Sequence, residues 1–185
     1  NKWEQSKSDI SSQILDLSEN EIKYLNPETS AELLEKTGQV FVQKSQLGGG
    51  SPMIRGLSTN RFVLSVDGVR LNNAIYRGGN IHNVISISPT NIEKTEVIMG
   101  SASVLYGSDA IGGVMNFYTK KANLSNNSDP KIQLNLRSRY SSASIEKMYH
   151  FDFNYGLQKI AFLSSFSKSE FGNLTMGKNG PSDYL

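Results

Sequence analysis

The chain has 185 residues and a nearly balanced charge, with 19 lysines and arginines against 17 aspartates and glutamates. The formal net charge of +2 is too small to indicate a nucleic-acid partner or an acidic membrane surface. Cysteine is absent, which excludes a disulfide framework and a thiolate metal site. No apolar run approaches the roughly 18 residues that a transmembrane helix requires.

The first part of the chain predicts a strand followed by a short helix. Residues 10–17 alternate loosely between apolar and polar side chains, as a half-buried strand does. Ser18 followed three residues later by Glu21 is a capping box, in which each residue satisfies a backbone amide of the other. We therefore expect a helix to begin after Ser18, and Pro27 to end it.

A second helix and a second strand follow at once. Thr29 and Glu32 have the same capping-box spacing, and Gly38 lies where a left-handed residue commonly ends a helix. Residues 40–42 are apolar or β-branched enough to predict a strand. The glycine-rich residues 46–52 are predicted to form a loop.

Residues 52–119 contain short apolar runs separated by glycine-rich segments. Asp67 and Gly68 separate two of these runs and are a strong hairpin signal, because glycine tolerates the positive φ of a primed turn. Together with the preceding segments, they favour an α+β domain with a small mixed sheet and short helices over the first ~120 residues. The predicted strands are 62–66, 69–71, 95–99 and 114–118.

The pattern changes after Lys121. Residues 123–130 are polar and predict a linker or turn, and three alternating segments follow at residues 131–140, 149–155 and 160–168. Strands of this length, with apolar and aromatic residues on one face and polar residues on the other, are typical of a transmembrane β-barrel wall. An antiparallel sheet with one face on a soluble core has the same pattern, and the strands alone slightly favour it.

No arrangement of residues predicts catalysis. The glycines at 48–50 are not followed by the Gly-Lys-Ser/Thr of a phosphate-binding loop. Gly112 and Gly113 precede a strand, whereas dinucleotide-binding glycines follow one. His82 and His150 lie far apart and have no neighbour at a metal-ligand spacing. We therefore expect neither an enzyme nor a metal site.

The segment that most resembles a recognition loop is residues 76–82 (YRGGNIH). It combines an aromatic ring, a guanidinium, backbone exposed by two glycines, an amide and an imidazole. Such loops bind ligands when a rigid scaffold holds them, but an ordinary surface loop explains the same residues equally well. Arg55 follows two apolar residues, so its charge is expected to be either exposed or paired.

Five segments of the first part of the chain have recognisable motifs. They are 31–42 (AELLEKTGQVFV), 53–56 (MIRG), 62–71 (FVLSVDGVRL), 92–100 (IEKTEVIMG) and 103–117 (SVLYGSDAIGGVMNF). The last of them, with its paired glycines, is the most specific, and the five in order are stronger than any one alone. Together they resemble the plug of TonB-dependent outer-membrane receptors, and the resemblance covers residues 10–121.

The resemblance implies two domains. Residues 1–121 would be the α+β plug domain, and residues 122–185 would be the first antiparallel strands of a transmembrane β-barrel, an incomplete wall that the remainder of its own barrel would close. This reverses the preference for a sheet on a soluble core. It also implies a protein of the outer membrane of a Gram-negative bacterium, in contact with outer-membrane lipids.

The resemblance further implies a transporter. The plug would gate the barrel, bind an extracellular small-molecule or haem-protein ligand, and respond to TonB, which transmits energy for import. The chain looks most like the haem and haemoglobin branch, so haem or a ferric siderophore would be the transported substrate, with no resident cofactor. The alternative is a stand-alone plug-like binding module that docks into another barrel or binds ligand in the periplasm. Coding sequence for further alternating strands beyond Leu185 would favour the transporter.

Family analogy also supplies candidate site residues. One departure is Met99-Gly100-Ser101, where the family commonly has Arg-Gly-Pro, so that Arg55 would hold the plug to the barrel alone. A second is that no TonB-binding segment is visible, so TonB would bind elsewhere. The candidate ligand-binding residues are Gln46, Gly49, Ser51, Tyr76, Arg77, Asn80 and His82. The candidate plug–barrel contacts are Arg55, Glu93 and Glu96.

Overall fold

A computed structural model describes residues 13–44, 50–57, 61–71, 84–100 and 102–173. The chain forms two compact units, a first unit of Asn1–Lys120 and a second unit of Lys121–Leu185. No helix in the described ranges is both long enough and apolar enough to cross a membrane.

The first unit combines short helices with short strands. Its elements are β1 (Gln13–Ser18), α1 (Glu19–Leu25), α2 (Ser30–Lys36), β2 (Phe41–Lys44), β3 (Gly50–Met53), β4 (Phe62–Val66), β5 (Val69–Arg70), β6 (Ile92–Met99), α3 (Ser103–Tyr106) and β7 (Gly113–Thr119). Among the described residues, five strands form a sheet in the order β1-β6-β7-β4-β5, in which only the β4–β7 pair is parallel. Strands β2 and β3 form a separate antiparallel pair. The expected α+β fold with a small mixed sheet is confirmed.

Both predicted helix starts are found, but only one is a complete capping box. The Ser18 backbone amide donates to Glu21 Oε2 at 2.8 Å, and the Glu21 amide donates to Ser18 Oγ at 3.4 Å. At α2, Thr29 Oγ1 accepts from the Glu32 amide at 3.2 Å. The Glu32 carboxylate accepts from the Glu28 amide at 2.5 Å and not from Thr29, so the predicted second box is half formed.

The predicted loop at residues 46–52 is wrong at its end. Strand β3 begins at Gly50 and includes Pro52, which lies opposite Val42 of β2. Proline has no amide to donate to a ladder, and sequence rules therefore exclude it from central strands. In a two-stranded pair each strand has one edge that takes no part in the ladder. The Pro52 nitrogen, which carries no hydrogen, can face that edge, where no hydrogen bond to β2 is needed.

The main core lies between one face of the five-stranded sheet and the helices. Side chains from α1 and α2 pack there against alternate residues of the sheet strands. Burial of such side chains is worth about 25 cal/mol per Å² of apolar surface and is the main stabilising contribution to the unit. The largest fully buried side chains are Phe62, Phe117, Leu33, Leu34, Ile54, Leu64, Ile92 and Met115.

Strand β7 enters the sheet where no side chain fits. Gly113 has a φ of 150°, and a Cβ atom there would overlap the carbonyl oxygen of Ile98 and lie 3.1 Å from Ile54 Cδ1. At Gly112, a Cβ atom would lie 2.8 Å from the carbonyl oxygen of Arg61. Close packing against backbone therefore explains both glycines.

The second unit is an antiparallel sheet of three long strands within the described residues. They are β8 (Lys131–Ser141), β9 (Glu146–Gly156) and β10 (Ala161–Glu170), with β9 in the middle. The pairing runs without a register shift from Lys131 opposite Gly156 to Ser141 opposite Glu146. All three strands predicted from the alternating pattern are confirmed.

Replacing Gly113 with alanine tests the close approach at β7. We expect Gly113→Ala to lower the free energy of unfolding of the first unit by about 2–4 kcal/mol, because backbone atoms of β6 must move. Gly56 also has positive φ, at 77°, but a Cβ atom there would have no neighbour within 4 Å, so Gly56→Ala is the matched control. It should cost only about 1 kcal/mol of backbone strain. Urea unfolding monitored by circular dichroism measures the free energy of unfolding of both variants. Equal losses of stability in the two variants would contradict the packing explanation.

Candidate functional site

Most of the candidate ligand-binding residues lie outside the described residues. These are Gln46, Gly49, Tyr76, Arg77, Asn80 and His82. Ser51 is described: it lies in β3 opposite Gln43 and is buried. Its predicted role in ligand binding therefore stays a prediction.

Arg55 lies at the tip of a tight turn. Ile54 and Leu57 close this turn with reciprocal backbone hydrogen bonds of 3.0 and 2.9 Å, and Arg55 and Gly56 both have positive φ, at 50° and 77°. The guanidinium is exposed, and its Nη2 donates to Gln13 Oε1 at 3.2 Å. The turn thus presents a positive charge at the surface of the first unit, held by a neutral amide.

Sequence reasoning missed a polar row that crosses the five-stranded sheet. Successive ladder partners place five polar side chains side by side on the face opposite α1 and α2, one from each strand. The row is Asp16, Glu96, Asn116, Ser65 and Arg70. These residues are distant in sequence, and only the strand order brings them together.

The charged end of this row is an ion-pair cluster between β1, β6 and β7. Lys94 Nζ lies 2.7 Å from Glu96 Oε1 and 3.7 Å from Asp16 Oδ2, and the Tyr118 hydroxyl donates to Glu96 Oε2 at 3.0 Å. Burial raises the pKa of the Glu96 carboxyl, but hydrogen bonds from Lys94 and Tyr118 outweigh it, and the pKa lies below its ordinary value. Burial and the negative charge of Glu96 raise the pKa of Tyr118. The hydrogen bond to Glu96 raises the pKa of Lys94.

The middle of the row is neutral and more deeply buried. Ser65 Oγ donates to Asn116 Oδ1 at 2.5 Å across the parallel β4–β7 pair, and Asn116 Nδ2 donates to the Tyr106 hydroxyl at 3.3 Å. At the far end, Arg70 and Asp109 form an exposed ion pair of 2.5 Å. The row therefore links α3 and the loop after it to the sheet through polar contacts.

Asp67 does more than shape its predicted turn. The hairpin between β4 and β5 is confirmed, with φ of 50° at Asp67 and 82° at Gly68. The Asp67 carboxylate also accepts from the Thr119 backbone amide at 2.9 Å and from its hydroxyl at 2.7 Å. The same side chain thus makes the turn and ties it to the last residue of β7.

In the second unit the central strand β9 buries its polar face and exposes its aromatic face, the reverse of a strand on a soluble core. Along β9 the polar residues His150, Asp152 and Asn154 are 5%, 2% and 2% exposed. The alternate aromatic residues Tyr149 and Phe151 are 57% and 38% exposed. The apolar side chains of the neighbouring strands are exposed too: Ile132, Leu134, Leu136 and Tyr140 of β8, and Phe162 and Phe166 of β10.

The polar face is held by side-chain hydrogen bonds between adjacent strands. Arg139 donates to both oxygens of Glu146 at 2.8 Å, a paired geometry that suits a fully buried carboxylate. Asn135 Nδ2 donates to Asp152 Oδ1 at 2.5 Å. His150 lies 2.7 Å from Ser167 Oγ through Nδ1 and 3.1 Å from Asp152 Oδ2 through Nε2. The described residues hold no group of three metal-ligating side chains.

The ion-pair cluster predicts a pH dependence. The pKa of Glu96 is lower in the folded state than in the unfolded state, so its contribution to stability is present above the ordinary glutamate pKa and lost as the pH falls below it. In urea unfolding between about pH 6 and pH 3, Glu96→Gln should therefore lose less stability on acidification than the unchanged protein. Glu93→Gln, at an exposed position of the same strand, is the control and should follow the unchanged protein. Coincident pH profiles for all three would contradict the role of Glu96.

Comparison with known proteins identifies the family. A family model described as TonB-dependent Receptor Plug Domain matches residues 6–114, which is more than half of the chain. The vitamin B12 transporter BtuB of Vibrio vulnificus (strain YJ016) is 34% identical over 135 residues, which cover 71% of this chain and 21% of that protein. The heme/hemopexin utilization protein C of Haemophilus influenzae (strain 86-028NP) is 40% identical over 94 residues, covering 50% and 13%.

Solved structures show the same fold at low sequence identity. The copper transporter OprC superposes with a TM-score of 0.66 at 19% identity, over 78% of this chain and 22% of that one. The siderophore receptor PirA from Pseudomonas aeruginosa superposes with a TM-score of 0.61 at 18% identity, over 91% and 30%. The chain spans about a fifth of the length of the curated relatives that it matches. These relatives are transporters and not enzymes, as expected. The chain belongs to the TonB-dependent receptor plug domain family, whose members are receptors of the Gram-negative outer membrane.

Proposed function

We propose that this chain is the gating plug and the first barrel strands of an outer-membrane active transporter. The transporter binds an extracellular nutrient and imports it with energy from TonB. The domain boundary proposed from the sequence, residues 1–121 and 122–185, lies within one residue of the division between the two compact units. The observation that carries the proposal is the reversed burial along β9 together with the exposed apolar side chains of β8 and β10, in a chain whose first unit matches the plug family.

The reversed burial supports a lipid-facing wall for a simple energetic reason. Exposed apolar side chains cost about 25 cal/mol per Å² in water and nothing comparable in hydrocarbon. Soluble proteins rarely expose a contiguous apolar face of this extent. Conversely, polar side chains that are buried and hydrogen-bonded to each other suit the polar interior of a barrel.

The polar row of the first unit supports a role as a gate. A hydrogen bond contributes only about 0.5–1.5 kcal/mol net, because water replaces each lost partner. Beside these bonds the same face has only a small apolar cluster, Val63, Ala110 and Val114, so it can rearrange at lower cost than a face sealed by a full apolar core. We assign this rearrangement to the plug of the transporter.

The three proposed plug–barrel contacts differ in their surroundings. Arg55 and Glu93 are exposed and free of the ion-pair cluster, so we propose that they reach barrel residues directly. The Glu96 carboxylate already accepts from Lys94 and Tyr118, so its proposed role is to orient Lys94 toward the barrel. Opposite charges on the barrel wall would complement both Arg55 and Lys94.

For the substrate we propose an iron compound, haem or a ferric siderophore, bound by the candidate ligand residues of the plug. The support is the 40% identity to a heme/hemopexin utilization protein over 94 residues. A second candidate is a cobalamin, because the identity to vitamin B12 transporters extends over 135 residues and more of the chain.

The lipid-facing assignment predicts a large cost for charge on the aromatic face. Phe151→Arg should destabilise the full receptor in lipid vesicles by about 2–4 kcal/mol if Phe151 lies near the bilayer centre. Ser138→Arg on β8 lies on the same face but opposite Tyr149, nearer a strand end, and should cost less. Reversible urea unfolding in vesicles measures both. A change near zero for Phe151→Arg, as expected for an arginine in water, would contradict the proposal.

Uptake measurements test the transport function and its substrate. The full receptor should be expressed in a host without its own receptors, with and without TonB, and supplied in turn with labelled haemin, a ferric siderophore and cyanocobalamin. We expect TonB-dependent uptake of one of the iron compounds. Uptake of cyanocobalamin alone would establish the second candidate, and no uptake of any compound would contradict the transporter.

If haemin is the substrate, His82→Ala should weaken its binding to the receptor. Equal binding of haemin by the variant and the unchanged receptor would remove His82 from the site.

A further inference from the structure

The polar segment that sequence analysis interprets as a linker is folded against the second unit. The Asn123 backbone amide donates to Asn154 Oδ1 at 2.8 Å, and Asn154 Nδ2 donates back to the Asn123 carbonyl oxygen at 3.1 Å. Asn123 Nδ2 also donates to Gln133 Oε1 of β8 at 3.2 Å. The side-chain amide of Asn154 thus accepts from and donates to the backbone of Asn123, as the backbone of a neighbouring strand would. Asn154 is only 2% exposed.

Gly156 provides the space that this segment occupies. A Cβ atom at Gly156 would overlap the carbonyl oxygen of Asn123. Gly156 is the last residue of β9 and pairs regularly with Lys131 and Ala161, so its ladder does not require glycine. The φ angle of Gly156 is not positive, so its backbone conformation does not require glycine either. The missing side chain is therefore explained by the approach of Asn123.

Further hydrogen bonds hold the segment between Asn123 and the start of β8. The Ser125 backbone amide donates to the Leu157 carbonyl oxygen at 3.1 Å, one residue beyond β9. Ser125 Oγ accepts from the Asn127 amide at 3.2 Å and donates to the Asp129 carbonyl oxygen at 2.6 Å. Ser125 is 8% exposed, so these bonds are largely shielded from water. We call residues 123–125 the strap.

We propose that Asn154, Gly156 and the Leu157 carbonyl form an anchor site for the strap, which fixes the second unit's end of the connection between the two units. This inference rests on the proposed gating function, since it concerns what stays still while the plug rearranges. On the other side, the Lys120 amide donates to the Asn91 carbonyl oxygen at 3.0 Å within the first unit. Lys121 and Ala122 lie between these two attachments, and rearrangement of the chain is concentrated in them.

The anchor belongs to the second unit and should open with it. Hydrogen exchange on the full receptor, over a series of urea concentrations below the unfolding transition, reports which amides open together. We expect the amides of Asn123 and Ser125 to open with those of β8 and β9. If they instead open with the amides of β1 and β6, the strap moves with the plug and the proposal is overturned.

Two substitutions remove the anchor by different routes. Asn154→Ala deletes both hydrogen bonds to Asn123. Gly156→Ala places a methyl group where the carbonyl oxygen of Asn123 lies. Each should accelerate exchange at the Asn123 amide at least about tenfold, the equivalent of losing the one hydrogen bond that this amide donates to Asn154 Oδ1. Asn127→Ala is the matched control, because the structure uses the backbone of Asn127 and not its side chain, and it should leave exchange unchanged.

The results separate this inference from the proposed function. Exchange in the middle of β9, at Met148 and His150, should stay slow in both variants, and it reports whether the strand itself still folds. If Asn154→Ala disrupts β9, Gly156→Ala alone decides. Unchanged exchange at Asn123 in the variant that folds overturns the anchor, whatever the receptor transports. Absence of uptake by the unchanged receptor would contradict the transporter and leave the exchange result valid.

Discussion

The first unit depends on the close approach of β7 to β6 at Gly113. Strand β7 is the third of five strands and pairs on both sides, antiparallel with β6 and parallel with β4. A side chain at its first residue would push β7 off the carbonyl of Ile98 and disturb both ladders. The preceding Gly112 amide also donates to the Arg61 carbonyl oxygen at 2.5 Å, just before β4 begins. The paired glycines are thus required by backbone packing, which explains why no nucleotide-binding interpretation fits them.

Around this contact the two faces of the sheet are stabilised differently. The face covered by α1 and α2 is an apolar core of the ordinary kind, whose side chains are sequestered from water. The opposite face combines a small apolar cluster, Val63, Val114 and Ala110, with the polar row. Asp67 ties the β4–β5 turn to the central strand, because its carboxylate accepts hydrogen bonds from Thr119 at the end of β7. A domain whose main apolar core lies on one face can loosen on the other face without exposing that core, as the proposed gating role requires.

In the second unit the strands alternate as those of a soluble sheet do, but β9 buries its polar residues and exposes its aromatic ones. A sheet on a soluble core and a barrel wall share one sequence pattern, since period 2 separates two faces but does not say which face water meets. The structure decides the matter through His150, Asp152 and Asn154, which are buried among polar partners while the aromatic residues between them are exposed. The anchor for residues 123–125 uses the same buried polar face, so that one asparagine serves both the wall and the connection.

The sequence by itself determined the local elements and the family. The Ser18 capping box, the Asp67-Gly68 hairpin, the left-handed Gly38 and the three alternating strands depend on neighbouring residues and are found as predicted. The ordered motifs likewise predicted the plug family. Only the tertiary structure decided the strand at Pro52, the polar row and the anchored strap. Each of these depends on residues far apart in sequence that strand order and backbone packing bring together, and no local pattern encodes that proximity.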